Sequence, residues 1–127
     1  MDVRDATEAD ANELAAFTGT PADVMRNLVH DRTVRVAVEE EETRGFVSFD
    51  AEGTTVYVTQ LEGDEGALER LLDEPVRFAD KEGMGVEHLV PETDDQTREL
   101  LESAAFEHGG TGPRFDGTPT VRYRLEP

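Results

Sequence analysis

The sequence lacks several residue types, and each absence excludes a class of protein. Its 127 residues contain no cysteine and no tryptophan, and Lys81 is the only lysine. A chain without cysteine has no disulfide framework, no thiolate zinc site and no cysteine nucleophile. No apolar run reaches the ~18–20 residues of a membrane span, and the first residues, Met1–Arg4, have no signal-peptide core. We therefore expect a cytoplasmic protein that does not enter a membrane.

Acidic residues strongly outnumber basic ones, 30 against 12, which gives a formal net charge of −18. This charge repels nucleic-acid phosphates and anionic membranes, so neither is expected as a partner. High charge also occurs in disordered chains, but the periodic apolar segments favour a folded chain with an acidic surface. Scattered acids with a single lysine resemble the composition of halophilic proteins, where molar salt screens the self-repulsion.

The apolar spacing predicts eleven elements in the order βααβββαβαββ. Thr7 and Asp10 have the spacing of a helix cap, and Pro21 is placed to open a second helix. A third helix contains Pro75, which is expected to interrupt it, and a fourth begins at Thr93. The predicted strands are Val3–Ala6, Thr33–Val38, Gly45–Asp50, Thr55–Leu61, Val86–Val90, Phe106–Gly110 and Val121–Leu125.

These elements predict an α/β (α+β) layer fold with one mixed, mostly antiparallel sheet, in a single domain covering residues 1–127. The strand Val86–Val90 follows a helix, so it is expected to lie parallel to the strand Thr55–Leu61 through a right-handed crossover. The glycine- and proline-rich segment Gly109–Pro119 is predicted to be a loop.

The segment from Val56 to Leu68 is the one that suggests chemistry. A strand there runs into a turn with Gly63 and Gly66 and then into a helix. Main-chain amides at a helix start have no internal partners, and the helix dipole adds positive charge, so this arrangement suits a phosphate group. A tight turn with no ligand is the alternative interpretation.

The whole chain resembles the GNAT-type N-acetyltransferases. Val3–Asp10 looks like the opening strand and helix cap of that family, and Leu100–Phe106 is similar to its late motif Leu-Tyr-Glu-x-x-Gly-Phe. The resemblance implies acetyl-CoA as cofactor and a small-molecule or peptide amine as acceptor, with the first two helices and Gly109–Pro119 shaping the acceptor pocket. The cofactor-binding residues that it implies are Val58, Gln60, Gly63, Asp64, Glu65, Gly66, Ala67 and Asp94.

Two departures from the family pattern bear on activity. In the family's Arg/Gln-x-x-Gly-x-Gly/Ala turn, Gly66 is the central glycine, while Gly63 stands at the basic or glutamine position and Leu68 at the last small position. Glu62, Asp64 and Glu65 add negative charge to this turn, although acids also stabilise a helix start. Leu101 stands at the tyrosine that serves the family as general acid.

Four other titratable residues are candidates for the base that deprotonates the acceptor amine. Glu87, His88, Glu92 and Tyr57 could each take a proton from an amine before it attacks a thioester. His30, His88 and His108 are too dispersed for a metal site, and no serine has evident triad partners, so neither a metal nor a hydrolase triad is expected.

Two functions remain open at this level. One is an acetyl-CoA-dependent transferase that works mainly by positioning its substrates. The other is a non-catalytic module of the same fold that binds a small ligand, a protein or a second copy of itself. A ferredoxin-like regulatory domain is a third possibility, and the order of its strands would differ.

The charge of −18 predicts a salt-dependent stability. Between ~0.1 M and ~1 M salt the Debye length falls from ~10 Å to ~3 Å, so repulsion between the acids weakens. We expect the thermal unfolding midpoint, followed by circular dichroism, to rise as KCl increases over this range. A midpoint that stays constant or falls would contradict this interpretation of the acidic surface.

Overall fold

The structure, a computed structural model, describes residues 1–115 and 117–127. These residues form seven strands, four α-helices and one 3-10 turn, Glu8–Asp10. The helices are α1 Ala11–Thr18, α2 Ala22–Asp31, α3 Glu65–Glu82 and α4 Asp95–Ser103. The strands are β1 Asp2–Asp5, β2 Thr33–Glu39, β3 Glu42–Glu52, β4 Thr55–Gly63, β5 Gly85–Pro91, β6 Glu107–Phe115 and β7 Thr118–Leu125.

The strands form one sheet in the order β1-β2-β3-β4-β5-β7-β6. β4 and β5 pair in parallel, with Thr55 opposite Gly85 and Val58 opposite His88. The pairs β1–β2, β2–β3, β5–β7 and β6–β7 are antiparallel. The predicted fold class, element order and parallel crossover are therefore confirmed.

The chain divides into two compact units. The first comprises Met1–Asp50 and Thr59–Glu74, and the second comprises Ala51–Val58 and Pro75–Pro127. Strand β4 and helix α3 each contribute residues to both units, and α3 continues through Pro75 rather than ending there. The single domain expected from the chain length stays a prediction.

In the first unit, the apolar faces of α1, α2, β2 and β3 form a core of Ala11, Leu14, Met25, Val34, Val36 and Phe46. The Arg4 guanidinium connects β1 to the following turn by donating two hydrogen bonds of 2.9 Å to the Asp10 carboxylate. Asp10 also accepts from the Thr7 amide at 2.8 Å, as the predicted cap requires. The hydrogen bonds from Arg4 are the main reason that the pKa of Asp10 lies below its usual value.

In the second unit, the Tyr123 hydroxyl connects β7 to α4 through two hydrogen bonds. The Tyr123 ring is buried, and its hydroxyl donates to the Glu102 carboxylate at 2.6 Å and accepts from Arg98 Nε at 3.1 Å. Leu101, one residue before Glu102, is fully buried. Among the described residues, no helix is both long and apolar enough to cross a membrane.

The prediction of a loop at Gly109–Pro119 is wrong for most of these residues, because they lie in strands. Strand β6 continues to Phe115, and β7 begins at Thr118, while Asp116 lies outside the described residues. The pairing register between β6 and β7 shifts twice, between His108 and Thr111 and between Gly112 and Phe115. Such irregularities, together with an edge position, let a strand accommodate glycine and Pro113.

Helix α4 ends with a residue that is poorly suited to its backbone conformation. The Phe106 amide returns to the Leu101 carbonyl at 3.0 Å, and Ala105 between them has φ +70°. This ending normally uses glycine, which has no Cβ to clash in the left-handed region. Ala105 stands where the family motif has its glycine.

We expect Ala105→Gly to raise the free energy of unfolding by about 1 kcal/mol, because it removes the left-handed strain of a Cβ-bearing residue. Denaturant unfolding at fixed KCl measures the change. Ala104→Gly is the matched control: Ala104 has φ −89°, so glycine there gains nothing and is expected to destabilise the protein. A loss of stability in Ala105→Gly would contradict the proposed strain.

Candidate functional site

Within the first unit, β4 passes into α3 through a single residue, Asp64. Its amide donates to the Arg44 carbonyl at 3.2 Å, and its carbonyl accepts from the Leu68 amide at 2.9 Å. Its carboxylate accepts from the Ala67 amide at 2.9 Å. Asp64 therefore caps the helix and already takes one of the amides that an anion at this end of α3 could use.

The backbones of β3 and β4 approach each other so closely at Gly45 and Gly63 that both positions require glycine. A Cβ on Gly63 would lie 2.6 Å from the Arg44 carbonyl oxygen and 2.8 Å from the Gly45 Cα, and the φ of Gly63 is +145°. A Cβ on Gly45 would in turn overlap the Glu62 carbonyl oxygen. Only glycine fits both positions, so Gly63 has a structural role whether or not a ligand binds the turn.

The next two amides of α3, those of Glu65 and Gly66, have no hydrogen-bond partner within residues 1–115 and 117–127. They are first-turn donors, which no helix satisfies internally. A Cβ on Gly66 would make only ordinary contacts, with the Asp64 carboxylate at 3.8 Å and the Met1 methyl at 4.0 Å, so no backbone crowds this residue. Two donors therefore remain available, next to the exposed acids Glu62 and Asp64.

In the second unit, His88 contacts β4 directly. Its Nδ1 lies 3.0 Å from the Val58 carbonyl oxygen, which only accepts, so Nδ1 carries the proton and Nε2 the lone pair. Burial lowers the pKa of His88 to about 4, against the opposing effects of the Val58 hydrogen bond and the nearby Asp94 carboxylate. At neutral pH the ring is therefore uncharged.

The other three candidate bases have different surroundings. Tyr57 and Glu87 are partners in the β4–β5 register, so they share the sheet face opposite to that of His88. Glu87 forms an ion pair with Arg122 at 3.2 Å, and Tyr57 is 39% exposed. Glu92 follows β5 and is exposed. The structure brings Tyr57 and Glu87 together on one face of the sheet and places His88 on the other.

Asp94, expected at the cofactor, is the N-cap of α4. Its carboxylate accepts from the Thr97 amide at 3.2 Å. Its charge also acts on His88, so these two side chains lie close to each other. In the described part of the chain, no group of three His, Asp or Glu side chains is arranged to hold a metal ion.

A cavity in the first unit is lined by α2, one of the two helices expected to shape the acceptor pocket, together with Asp50 and Thr59, which the sequence did not assign to it. It has a volume of about 480 Å³ and lies between α2 and the neighbouring strand residues Asp50, Thr59 and Gln60. Gln60, expected to contact the cofactor, lines this cavity. Because the lining combines residues about 30 positions apart, no local motif could have revealed it.

Comparisons with known proteins identify the fold. No protein-family model matches the chain, and no curated protein sequence matches it significantly. Solved structures do match. The ribosomal-protein-alanine N-acetyltransferase of Brucella melitensis is 17% identical, with a TM-score of 0.85 over 99% of both chains. An aminoglycoside 6'-acetyltransferase type Ii is 14% identical, with a TM-score of 0.82 over 99% of this chain and 97% of that one.

A third similar structure contains a ligand. A Salmonella typhimurium protein, solved with its cofactor acetyl-CoA, is 15% identical, with a TM-score of 0.83 over 99% of this chain and 93% of that one. At such identities the likeness establishes the fold rather than the substrate. With its parallel β4–β5 pair, its element order and these neighbours, the chain has the GNAT-type N-acetyltransferase fold.

Proposed function

We propose that this protein transfers an acetyl group from acetyl-CoA to an amine, in a salt-rich cytoplasm. The proposal is supported by the full-length match to acetyltransferase structures. It is also supported by the Glu65 and Gly66 amides, which have no partner among the described residues and lie at the turn where the family resemblance implies the cofactor. A non-catalytic binding module is not favoured by these neighbours.

The residues at the start of α3 fit a diphosphate in geometry but oppose it in charge. The Glu65 and Gly66 amides are adjacent donors, and Gly66 has no side chain to obstruct a ligand. The carboxylates of Asp64 and Glu65 repel an anion at the same place. A unit charge ~4 Å from a phosphate costs roughly 1 kcal/mol in water, and molar salt reduces this cost. Affinity is therefore expected to be modest and higher in KCl-rich buffer.

Bound acetyl-CoA would supply an activated thioester, and this chain must present the amine to it without its proton. The His88 ring is buried and already donates from Nδ1 to the Val58 carbonyl, so it is better suited to hold this strand than to exchange a proton with an amine. Tyr57 and Glu87, which share one sheet face, remain the proposed proton acceptors.

The protonation of the leaving thiolate has no dedicated residue in this proposal. Leu101, at the family's tyrosine position, is fully buried and has no acidic proton. The Tyr123 hydroxyl already donates to Glu102. Catalysis would then come mainly from positioning the amine and thioester, with solvent supplying the proton.

The proposal is tested by calorimetry with acetyl-CoA in multimolar KCl, combined with an acetyl-transfer assay on a panel of amines. We expect binding and turnover. Asp64→Asn keeps a side-chain oxygen that can cap α3 but removes one charge beside the diphosphate, so we expect acetyl-CoA to bind about fivefold more tightly.

Asp73→Asn is the matched control, because it makes the same change on an exposed position of α3 two turns further along. It is expected to leave the affinity almost unchanged. A folded protein that binds no acetyl-CoA would refute the proposed function, and an equal effect of both variants would refute the diphosphate position.

The pKa of His88 predicts a pH dependence of stability. The unfolded histidine has a pKa near 6.5 and the folded one about 4, so the unfolded state binds the extra proton between these values. The free energy of unfolding is expected to be highest above pH 6.5 and to fall, by up to about 3 kcal/mol from this group, as the pH drops towards 4.

His88→Asn keeps an N–H near the Val58 carbonyl but does not titrate, so its stability should fall less over this range than that of the wild type. His108→Asn, at an exposed histidine of the same unit, is the control and should follow the wild-type curve. Parallel curves for the wild type and His88→Asn would contradict the buried, neutral state of His88.

A further inference from the structure

The cavity of about 480 Å³ beside α2 has the size of a small-ligand site, for which ~300–1,000 Å³ is typical. Its residues all belong to the first unit. The β4 residues in its wall, Thr59 and Gln60, directly follow Val58 along the strand proposed to hold the cofactor. A ligand in this cavity would therefore lie against that strand.

The charged residues of the cavity favour a cation. Its lining contains two carboxylates, Asp31 and Asp50, and one guanidinium, Arg32. Arg32 pairs with Asp50 at 3.5 Å. The Asp31 carboxylate has no hydrogen bond or ion pair with any residue of 1–115 and 117–127, and the three charged side chains together leave one net negative charge in the lining.

Asp31 also lies at the C-terminal end of α2, where an acidic side chain is least favourable for the helix. It is the last residue of α2, at the negative end of the helix dipole, where cations are preferred. A residue that opposes its local environment in this way often has a functional reason. The helix end and the Asp31 carboxylate would act together on a bound ammonium group.

A second acceptor comes from Gln60, one of the β4 residues in the lining. The Gln60 side-chain oxygen is buried and has no hydrogen-bond partner among the described residues. A buried acceptor of this kind is normally satisfied by a donor. Rotation about its last side-chain bond is soft, so the carboxamide can turn its oxygen towards a ligand N–H in the cavity.

The wall between these polar groups is partly apolar. Val24, Met25 and Leu28 line it, and Met25 is almost fully buried. An aliphatic chain would contact these side chains while nitrogen atoms at its two ends meet Asp31 and Gln60. Thr59, which also lines the cavity, is already bonded through its hydroxyl to Ser48 at 2.6 Å and is not needed for this contact.

We infer that the cavity beside α2 binds an aliphatic diamine or polyamine, with one ammonium group at Asp31 and the methylene chain along Met25 and Leu28. The inference rests on the proposed function and names the chemical class of its acceptor. The acceptor amine is thus a linear molecule with two amino groups rather than a simple monoamine.

The test measures binding without acetyl-CoA, at the lowest KCl concentration that keeps the protein folded by circular dichroism. 1,4-Diaminobutane and butylamine are titrated separately in a calorimeter. We expect the diamine to bind about fivefold or more tightly than the monoamine, because only the diamine keeps an ammonium group at Asp31 when its other nitrogen is at Gln60. Equal affinities would overturn the inference.

Asp31→Asn is expected to reduce the affinity for the diamine to that for butylamine. Asp23→Asn is the matched control: Asp23 is an exposed acid in the first turn of the same helix and does not line the cavity. It should preserve the preference for the diamine. Asp31→Asn with an unchanged preference, or an equal loss in both variants, would overturn the assignment of Asp31.

Failure of this inference is distinguishable from failure of the proposed function. If acetyl-CoA binds and butylamine is acetylated while the two amines bind equally, the transferase stands and the diamine site is refuted. If the diamine binds through Asp31 but no acetyl-CoA binds, the diamine site stands and the transferase is refuted.

Discussion

The close approach of two backbones at Gly45 and Gly63 is the constraint on which the candidate site depends. A Cβ on Gly63 would lie 2.6 Å from the Arg44 carbonyl oxygen, so both strands must carry glycine where they meet. Immediately after this point the Asp64 amide bonds Arg44, and its carboxylate and carbonyl start α3. The position of the first amides of α3 therefore follows from the packing of β3 against β4 in the first unit, before any ligand is considered.

The acids near these amides serve two opposing purposes. Asp64 stabilises α3 as its cap, and acids in a first turn interact favourably with the helix dipole. The same charges weaken the attraction for a phosphate. Salt changes the balance, because ions screen exposed charges while hydrogen bonds such as that from Ala67 to Asp64 persist. A protein with this composition can combine a capped helix with an anion site most readily in concentrated salt.

The sequence predicted much of the architecture. Apolar periodicity located the helices and strands, Thr7 and Asp10 identified the first cap, and the helix before Val86 implied the parallel pair. It failed at β6, because Gly109, Gly110, Gly112 and Pro113 have low strand propensity and only pairing with β7 makes that segment extended. The apolar spacing on both sides of Pro75 predicted one helix ending near Gly83, and α3 does run through Pro75 to Glu82.

The sequence by itself determined which chemical groups are present. It has no thiol, few basic residues and many acidic ones, a leucine where the family has its tyrosine, and glycines at the β4–α3 turn. Tertiary structure alone decided what those groups do. Burial sets the pKa of His88 at about 4 and directs its Nδ1 to Val58, although the residue looks like an ordinary candidate base in the sequence. Likewise, Asp31 of α2 and Gln60 of β4 are distant in the chain but line one cavity. Local patterns specify backbone conformation, but pKa values and cavities depend on residues that are distant in the chain.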